Sequence, residues 1–396
     1  MSKLEQLIKE LCPDGVEFTA LGELGKFYGG LTGKSKDDFT DGNATFITYK
    51  NVYYNPALDI DPEDTVKIGE DENQRTLEYG DVVFTGSSET PNECGFSAVV
   101  TKSPEKALYL NSFCFFFRFY DISTVEPDFL KHLFRSHNLR CQIGKTASGV
   151  TRFNVSKEKM AKIQIPLPPL PVQSEIVRIL DNFTELTAEL TAELTDRKKQ
   201  YEYYRGQALC FDDNTPMERL GDTCLMKSGK AIKATFISET QNETHKYKCY
   251  GGNGIRGFVS ELSNQGEYPI IGRQGALCGN INYAVGDFYA TEHAVVVKSL
   301  GKYIPRFLFY LLTAMDLNQY KSQGAQPGLA VGNIENLLAP VPSIKKQEYI
   351  VNLLDRFDAL CNDITTGLPA EIEERQKQYE YYRDMLLDFP KAEIEV

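Results

Sequence analysis

No stretch of this 396-residue sequence is apolar for long enough to cross a bilayer. Clean runs are short, residues 113–117 stopping at Arg118, whereas a spanning helix needs about 18 or more apolar residues. Paired cysteine spacings are missing as well. Nine cysteines, an odd number without a CxxC pair, argue against a disulfide scaffold and for a reducing cytoplasm. Histidine is scarce: His132, His137, His245 and His293 stand at no zinc-ligand spacing, so no metal site is expected. Residues 1–12, MSKLEQLIKELC, mix Lys and Glu among their apolar positions and predict a short amphipathic helix, not a signal peptide. What remains is an ordinary globular composition, 42 % hydrophobic and 25 % charged, long enough for two or three domains at roughly 150 residues each.

Motifs for chemistry are also absent. Residues 29–35, GGLTGKS, fall one residue short of a phosphate-binding loop, because position 28 is Tyr where the motif needs Gly. Gly252, Gly254 and Gly257 spell GxGxxG, but the FVSELSNQG that follows reads as strand and turn, not as a helix to hold a pyrophosphate. No histidine-centred acid–base group, D…ExK nuclease core or Asn/Asp-Pro-Pro-aromatic methyltransferase motif is present. No catalytic residue is expected. The sequence reads as a binding protein.

The chain is written twice. Residues 166–183 read PLPPLPVQSEIVRILDNF and residues 340–357 read PVPSIKKQEYIVNLLDRF, while KQYEYYR occurs at 199–205 and again at 377–383. The segments ahead of these blocks match more loosely. GDVVFTGSS (80–88) pairs with GEYPIIGRQ (266–274), each followed by Cys-Gly, and PDFLKHLF (127–134) pairs with PRFLFYLL (305–312). A polar stretch precedes each proline block: KTASGVTRFN (145–154) and KSQGAQPGLA (321–330). The predicted organisation is a first variable domain at 1–165, a helix at 166–215, a second variable domain at 216–340 and a helix at 341–396.

Alternating apolar runs at 81–85, 98–101, 113–119 and 294–298 predict short strands, and 128–140 and 306–318 predict short helices, giving α+β globular units. After Pro171 the apolar stripe Ile176, Ile179, Leu180, Phe183, Leu186, Leu190, Leu194 predicts a helix burying one face. Its natural partner is the other copy, in an antiparallel coiled coil between two globular domains. A tandem tetrapeptide, TAELTAEL at 187–194, lies inside the first helix. Each unit adds about one turn, roughly 6 Å at 1.5 Å per residue. The second helix carries Gly367 and Pro369, where a break is expected.

The net charge of −12 is unevenly spread: 1–165 nets −5, 166–215 nets −4, 216–340 nets +2 and 341–396 nets −5. The helical repeats look solvated or protein-binding. Such a chain binds nucleic acid only through a few aimed side chains, or with a partner supplying positive charge.

The alternation of variable domain and helix, with IQIPLPPLPVQSEIVRILD, the TAEL repeats and RKKQYEYYR, closely resembles the DNA specificity subunit of type I restriction–modification enzymes, over essentially the whole chain. The resemblance implies two target-recognition domains, each reading one half of a bipartite, asymmetric DNA site. It also implies an antiparallel helix pair that sets the spacer and docks two methyltransferase subunits, which a restriction subunit can join. S-adenosylmethionine, ATP and Mg²⁺ would then belong to the partners. The alternative is a non-catalytic protein-binding adaptor with repeated domains.

Base readout needs forked or amide side chains: Arg or Lys for guanine, Asn or Gln for adenine. The candidates in the matched loops are Lys34, Ser35, Lys36, Tyr49, Asn51, Ser87, Ser88, Asn92, Ser148, Thr151 and Arg152, then Tyr250, Asn253, Arg256, Arg273, Gln274, Gln323 and Gln326. Arg273-Gln274 is the best pair, since it replaces Ser87-Ser88 at the matched position. In the repeated heptapeptide, Tyr201, Tyr204, Arg205, Tyr379, Tyr382 and Arg383 are candidates for partner docking. Coiled-coil packing would account for the tyrosines equally well.

Overall fold

The computed structural model describes residues 2–275, 277–322, 327–363 and 365–392. The chain forms two compact units, Met1–Leu190 with Ile372–Val396, and Thr191–Glu371. Among the described residues, no helix is long and apolar enough to cross a membrane, and all nine cysteines are free.

In the first unit, a four-stranded antiparallel sheet has the order Gly25–Gly29, Cys114–Phe119, Val82–Thr85, Ser97–Val99. The strand Cys114–Phe119 is apolar at five of its six positions because both of its faces are covered. Phe115, Phe117 and Phe119 enter one buried cluster, and Cys114 with Phe116 enters another. Its one charge, Arg118, is satisfied by a two-pronged contact with Asp81 (Nε–Oδ1 2.8 Å, Nη2–Oδ2 2.7 Å), the geometry that suits a guanidinium to a carboxylate. Two further three-stranded sheets belong to the same unit. One of them joins the hairpin Ala147–Ser148/Phe153–Val155 to Ser87–Ser88.

The second unit repeats the plan with longer strands. Its six-stranded sheet runs Cys224–Ser228, Ala294–Ser299, Asn264–Gly272, Ile281–Ala290, Tyr247–Gly251, Gly254–Val259. A two-stranded ribbon closes each globular part at its root, Phe18–Ala20 with Gln164–Pro166 in one and Met217–Arg219 with Leu338–Pro340 in the other.

The expected helix at 128–140 is two helices, Pro127–Leu133 and His137–Gly144. The Ser136 hydroxyl donates to the Leu133 carbonyl (2.7 Å), and such local side-chain bonds compete with the helix ladder. The helix expected at 306–318 likewise stops at Ala314, and Asp316 turns the chain in a left-handed conformation (φ +45°).

The helix Leu170–Ala208 runs 39 residues without interruption, TAEL repeats included. Its counterpart is broken into Ile344–Asn362 and Leu368–Leu386, with Gly367 and Pro369 at the break. In the first unit, Phe183 stacks on Tyr382 (ring centroids 5.2 Å apart). In the second, Tyr204 stacks on Phe357 (5.4 Å). In each unit, then, an aromatic ring of one helical repeat stacks on a ring of the other. Burial of the apolar stripe fades after Leu180, and Leu186 is 46 % exposed.

The repeated glutamine has a structural task. Gln173, fully buried, accepts from the Glu126 backbone N–H (2.8 Å) and donates to the Thr124 and Pro168 carbonyls (3.1 and 2.7 Å). Gln347 does the same with Ile304 N–H and the Lys302 and Pro342 carbonyls (2.8, 2.9 and 2.9 Å). Each amide thus ties the start of a spacer helix to the start of a helix in the adjoining globular part (Pro127–Leu133 or Pro305–Ala314).

The first unit also holds a polar group around the buried His132. His132 Nε2 meets Asp181 Oδ1 (2.8 Å), its Nδ1 meets the Tyr379 hydroxyl (2.9 Å), and Lys131 also reaches Asp181 (2.9 Å). Burial pushes His132 below its ordinary value of 6.5, against the pull of Asp181. Burial pushes Asp181 up, but the hydrogen bonds from His132 and Lys131 outweigh it and hold the carboxyl below 3.8. Both folded values lie below the unfolded ones, so both contributions to stability are complete above those values and lost as pH falls. Acid titration should therefore lower the first unit's urea midpoint from about pH 6.5 downward, and further below about pH 4. His132→Gln should abolish the first step; a midpoint equally pH-dependent in the variant would contradict this.

Candidate nucleic-acid interface

The first unit carries a cleft of about 630 Å³ at the edge of the Ser87–Ser88 strand, whose walls include Tyr49, Tyr53, Tyr54, Phe113, Thr151 and Arg152. The hairpin tip 149–152 needs glycine at 149 (φ +154°), where a Cβ would lie 2.0 Å from the Arg152 carbonyl oxygen. That turn delivers Arg152, whose Nε donates to the Ser87 hydroxyl (3.0 Å). The Tyr49 hydroxyl donates to the Ser87 carbonyl (3.0 Å). Opposite charge is built in too. Glu93 accepts from Thr90 (2.7 Å), Tyr53 (3.0 Å) and Ser88 (3.3 Å) hydroxyls, and those bonds, Thr90's foremost, hold its carboxyl below the usual range.

The second unit carries a cleft of about 790 Å³ lined by Asn253, Arg256, Gln274 and His293 among others, with a smaller one of about 370 Å³ that holds Arg273, Gln274 and Lys321. Gly272 must be glycine, since a Cβ there would come within 1.8 Å of the Gly252 carbonyl oxygen. Arg273 is half-buried, with Nη1 on the Ser228 hydroxyl (3.0 Å) and no partner for Nε among the described residues. Gln274 bridges to Gly328 as Ser88 pairs with Phe153, so the matched segments occupy equivalent places in the two units.

Of the sequence candidates, the structure gathers Tyr49, Ser87, Ser88, Thr151 and Arg152 into one cleft, and Asn253, Arg256 and Gln274 into another. Ser148, Lys36 and Asn92 are exposed but line neither. Four expectations need correction. Tyr250 is a core residue, 5 % exposed against Phe288, and cannot reach a base. Lys34 is spent on a sequence-distant segment, on Glu72 and the Lys67 carbonyl, and Ser35 caps the short helix Lys36–Phe39 with Asp38. Asn51 uses its amide on Asp59 and Asn55. Gln323 and Gln326 lie outside the described residues. The cleft's Tyr53, Tyr54, Glu93 and Phe113 went unrecognised. The tyrosines were detectable in principle, because YKNVYY at helical spacing puts Tyr49 and Tyr53 on one face.

In the heptapeptide copies the two repeats adopt one arrangement. Tyr201 and Tyr379 turn inward, each with the following arginine over its ring (Arg205 and Arg383, both 5.6 Å). Tyr204 and Tyr382 stack on phenylalanines as described, so packing explains much of the set. The most exposed tyrosines are their neighbours Tyr203 and Tyr381, at 61 % and 66 %.

Two related α+β units, each with a polar cleft and each rooted on a copy of one helical repeat, define a tandem-repeat binding protein. A family model described as the type I restriction modification DNA specificity domain matches residues 13–197 and again 214–374, and the chain belongs to that family. The type I restriction enzyme EcoprrI specificity subunit of Escherichia coli is 50 % identical over 237 residues, covering 57 % of this chain and 59 % of its own. The EcoR124I/EcoR124II specificity subunit, also from Escherichia coli, is 36 % identical over 266 residues, covering 60 % and 66 %. The matched part thus spans less than two thirds of either relative. Among solved structures, one of the type I R-M system (TM-score 0.64, 95 % of this chain and 98 % of that one) shares the fold at 17 % identity. The S subunit from M. genitalium does so too (0.56, 94 % and 96 %), at the same identity.

Proposed function

We propose that this chain is a non-catalytic DNA-recognition subunit that reads a bipartite, asymmetric site and brings type I methylation and restriction subunits to it. The observation that carries this reading is the doubling. One family model matches twice, and the two units set different side chains at matched positions, Ser87-Ser88 in one and Arg273-Gln274 in the other. Unlike readers in two related frames imply two unlike half-sites. The methyl donor, ATP and Mg²⁺ belong to the partners in this reading. The two copies of KQYEYYR offer equivalent docking sites for two methyltransferase subunits. The acidic total then limits phosphate contacts to a few aimed groups, and the partners supply the remaining positive charge.

Competition binding tests the proposal. The chain complexed with a methyltransferase subunit should hold its recognised duplex against excess unrelated DNA, and Arg273→Ala should cost roughly 1–3 kcal/mol of discrimination at one position of the second half-site. Equal loss on every sequence would make Arg273 a phosphate contact. Partner binding without any DNA selectivity would favour the adaptor instead.

A further inference from the structure

The cleft of the first unit is lined by a cation and an anion that rest on different serine hydroxyls. Arg152 leans on the Ser87 hydroxyl through Nε (3.0 Å) and Glu93 on the neighbouring Ser88 hydroxyl through Oε2 (3.3 Å). Among the described residues neither side chain forms an ion pair. With Nε occupied, Arg152 is oriented and its two terminal nitrogens meet no acceptor. Glu93 is fixed by three hydroxyl donors: Thr90 and Ser88 on Oε2, and Tyr53 on Oε1. A carboxylate offers about four lone-pair sites, so one on Oε1 stays open.

A phosphate would suit Arg152 but not the carboxylate beside it. A base-pair edge suits both. In the major groove, guanine shows two acceptors, O6 and N7, that match a guanidinium fork, and its cytosine partner shows an amino donor that a carboxylate accepts. An A·T pair offers no base with two acceptors there. Resting on the DNA-recognition reading above, we propose that the first unit specifies a G·C pair, with Arg152 on the guanine and Glu93 on the amino group of the cytosine. Glu93 also repels wrongly placed phosphates and acceptor-only edges, so it discriminates as well as attracts.

The test starts from the motif methylated by the complex of this chain with a methyltransferase subunit, mapped for wild type, Arg152→Ala and Glu93→Gln. Arg152→Ala should lose about ten- to 100-fold of preference at one G·C position in one half and leave all other positions alone. Glu93→Gln should weaken the requirement at that same pair. Placing 7-deazaguanine, which lacks N7, at that position of a synthetic duplex should weaken binding by wild type and leave Arg152→Ala unaffected. Arg152→Lys keeps the charge without the fork and should behave like the alanine variant. An equal penalty from 7-deazaguanine in both proteins, a lost preference at an A·T pair, or a uniform loss over all sequences would overturn the assignment. If every variant keeps the wild-type motif, this inference alone falls. If wild type yields no motif, the DNA-recognition reading falls with it.

Discussion

Replacing Gln173 by leucine is expected to unfold the first unit at much lower urea concentrations, although the side chains are similar in volume. The change removes no apolar contact of note. It removes the partner of the Glu126 N–H and of the Thr124 and Pro168 carbonyls, of which the bond to Pro168 is fully buried and the other two partly so. A buried polar group left unpaired costs about 1–3 kcal/mol, so the sum should be about 3–5 kcal/mol. That is a large share of the 5–15 kcal/mol typical of a domain. Gln347→Leu should do the same to the second unit, through Ile304, Lys302 and Pro342. Hydrogen exchange read peptide by peptide separates the units: each variant should lose protection in its own unit only. A change of less than about 1 kcal/mol in either case would mean that the repeated glutamine is not the clamp described.

The second large effect concerns the tetrapeptide repeats. Residues 187–194 continue the helix Leu170–Ala208 without interruption, so deleting 187–190 removes one turn. The helix shortens by about 6 Å and its far end rotates by about 40°. Against about 3.4 Å per base pair along one strand, the recognised spacer should lose one or two base pairs while both half-sites stay the same. The original motif should cease to be methylated. An unchanged gap would sink the idea that this helix sets the spacing.

The repeat organisation was fully legible, because it is written in identities such as KQYEYYR and in proline blocks that stop one kind of structure and start another. The break at Gly367 and Pro369 was legible for the same local reason. Helix ends were less so: Ser136 ends its helix through a bond to Leu133 that periodicity does not register. Individual readers were hardest to place. Tyr250 and Tyr49 are the same residue type in similar company, yet one packs on Phe288 and the other lines a cleft. Glu93 could not be singled out among so many acids, since its distinction is the three hydroxyls that chain folding brings around it. Lys34 illustrates the converse: a promising basic residue proves to be tied to Lys67 and Glu72, more than 30 residues along the chain.

The central claim is that two unlike units of one chain read two unlike sequences a fixed distance apart. The most direct measurement is to co-express the chain with a methyltransferase subunit in a host without modification and map methylated adenines across the host DNA by single-molecule sequencing. The account predicts one bipartite motif with two different halves and a constant gap. A stable complex that leaves the host DNA unmethylated, or methylates one uninterrupted or symmetric sequence, would contradict it.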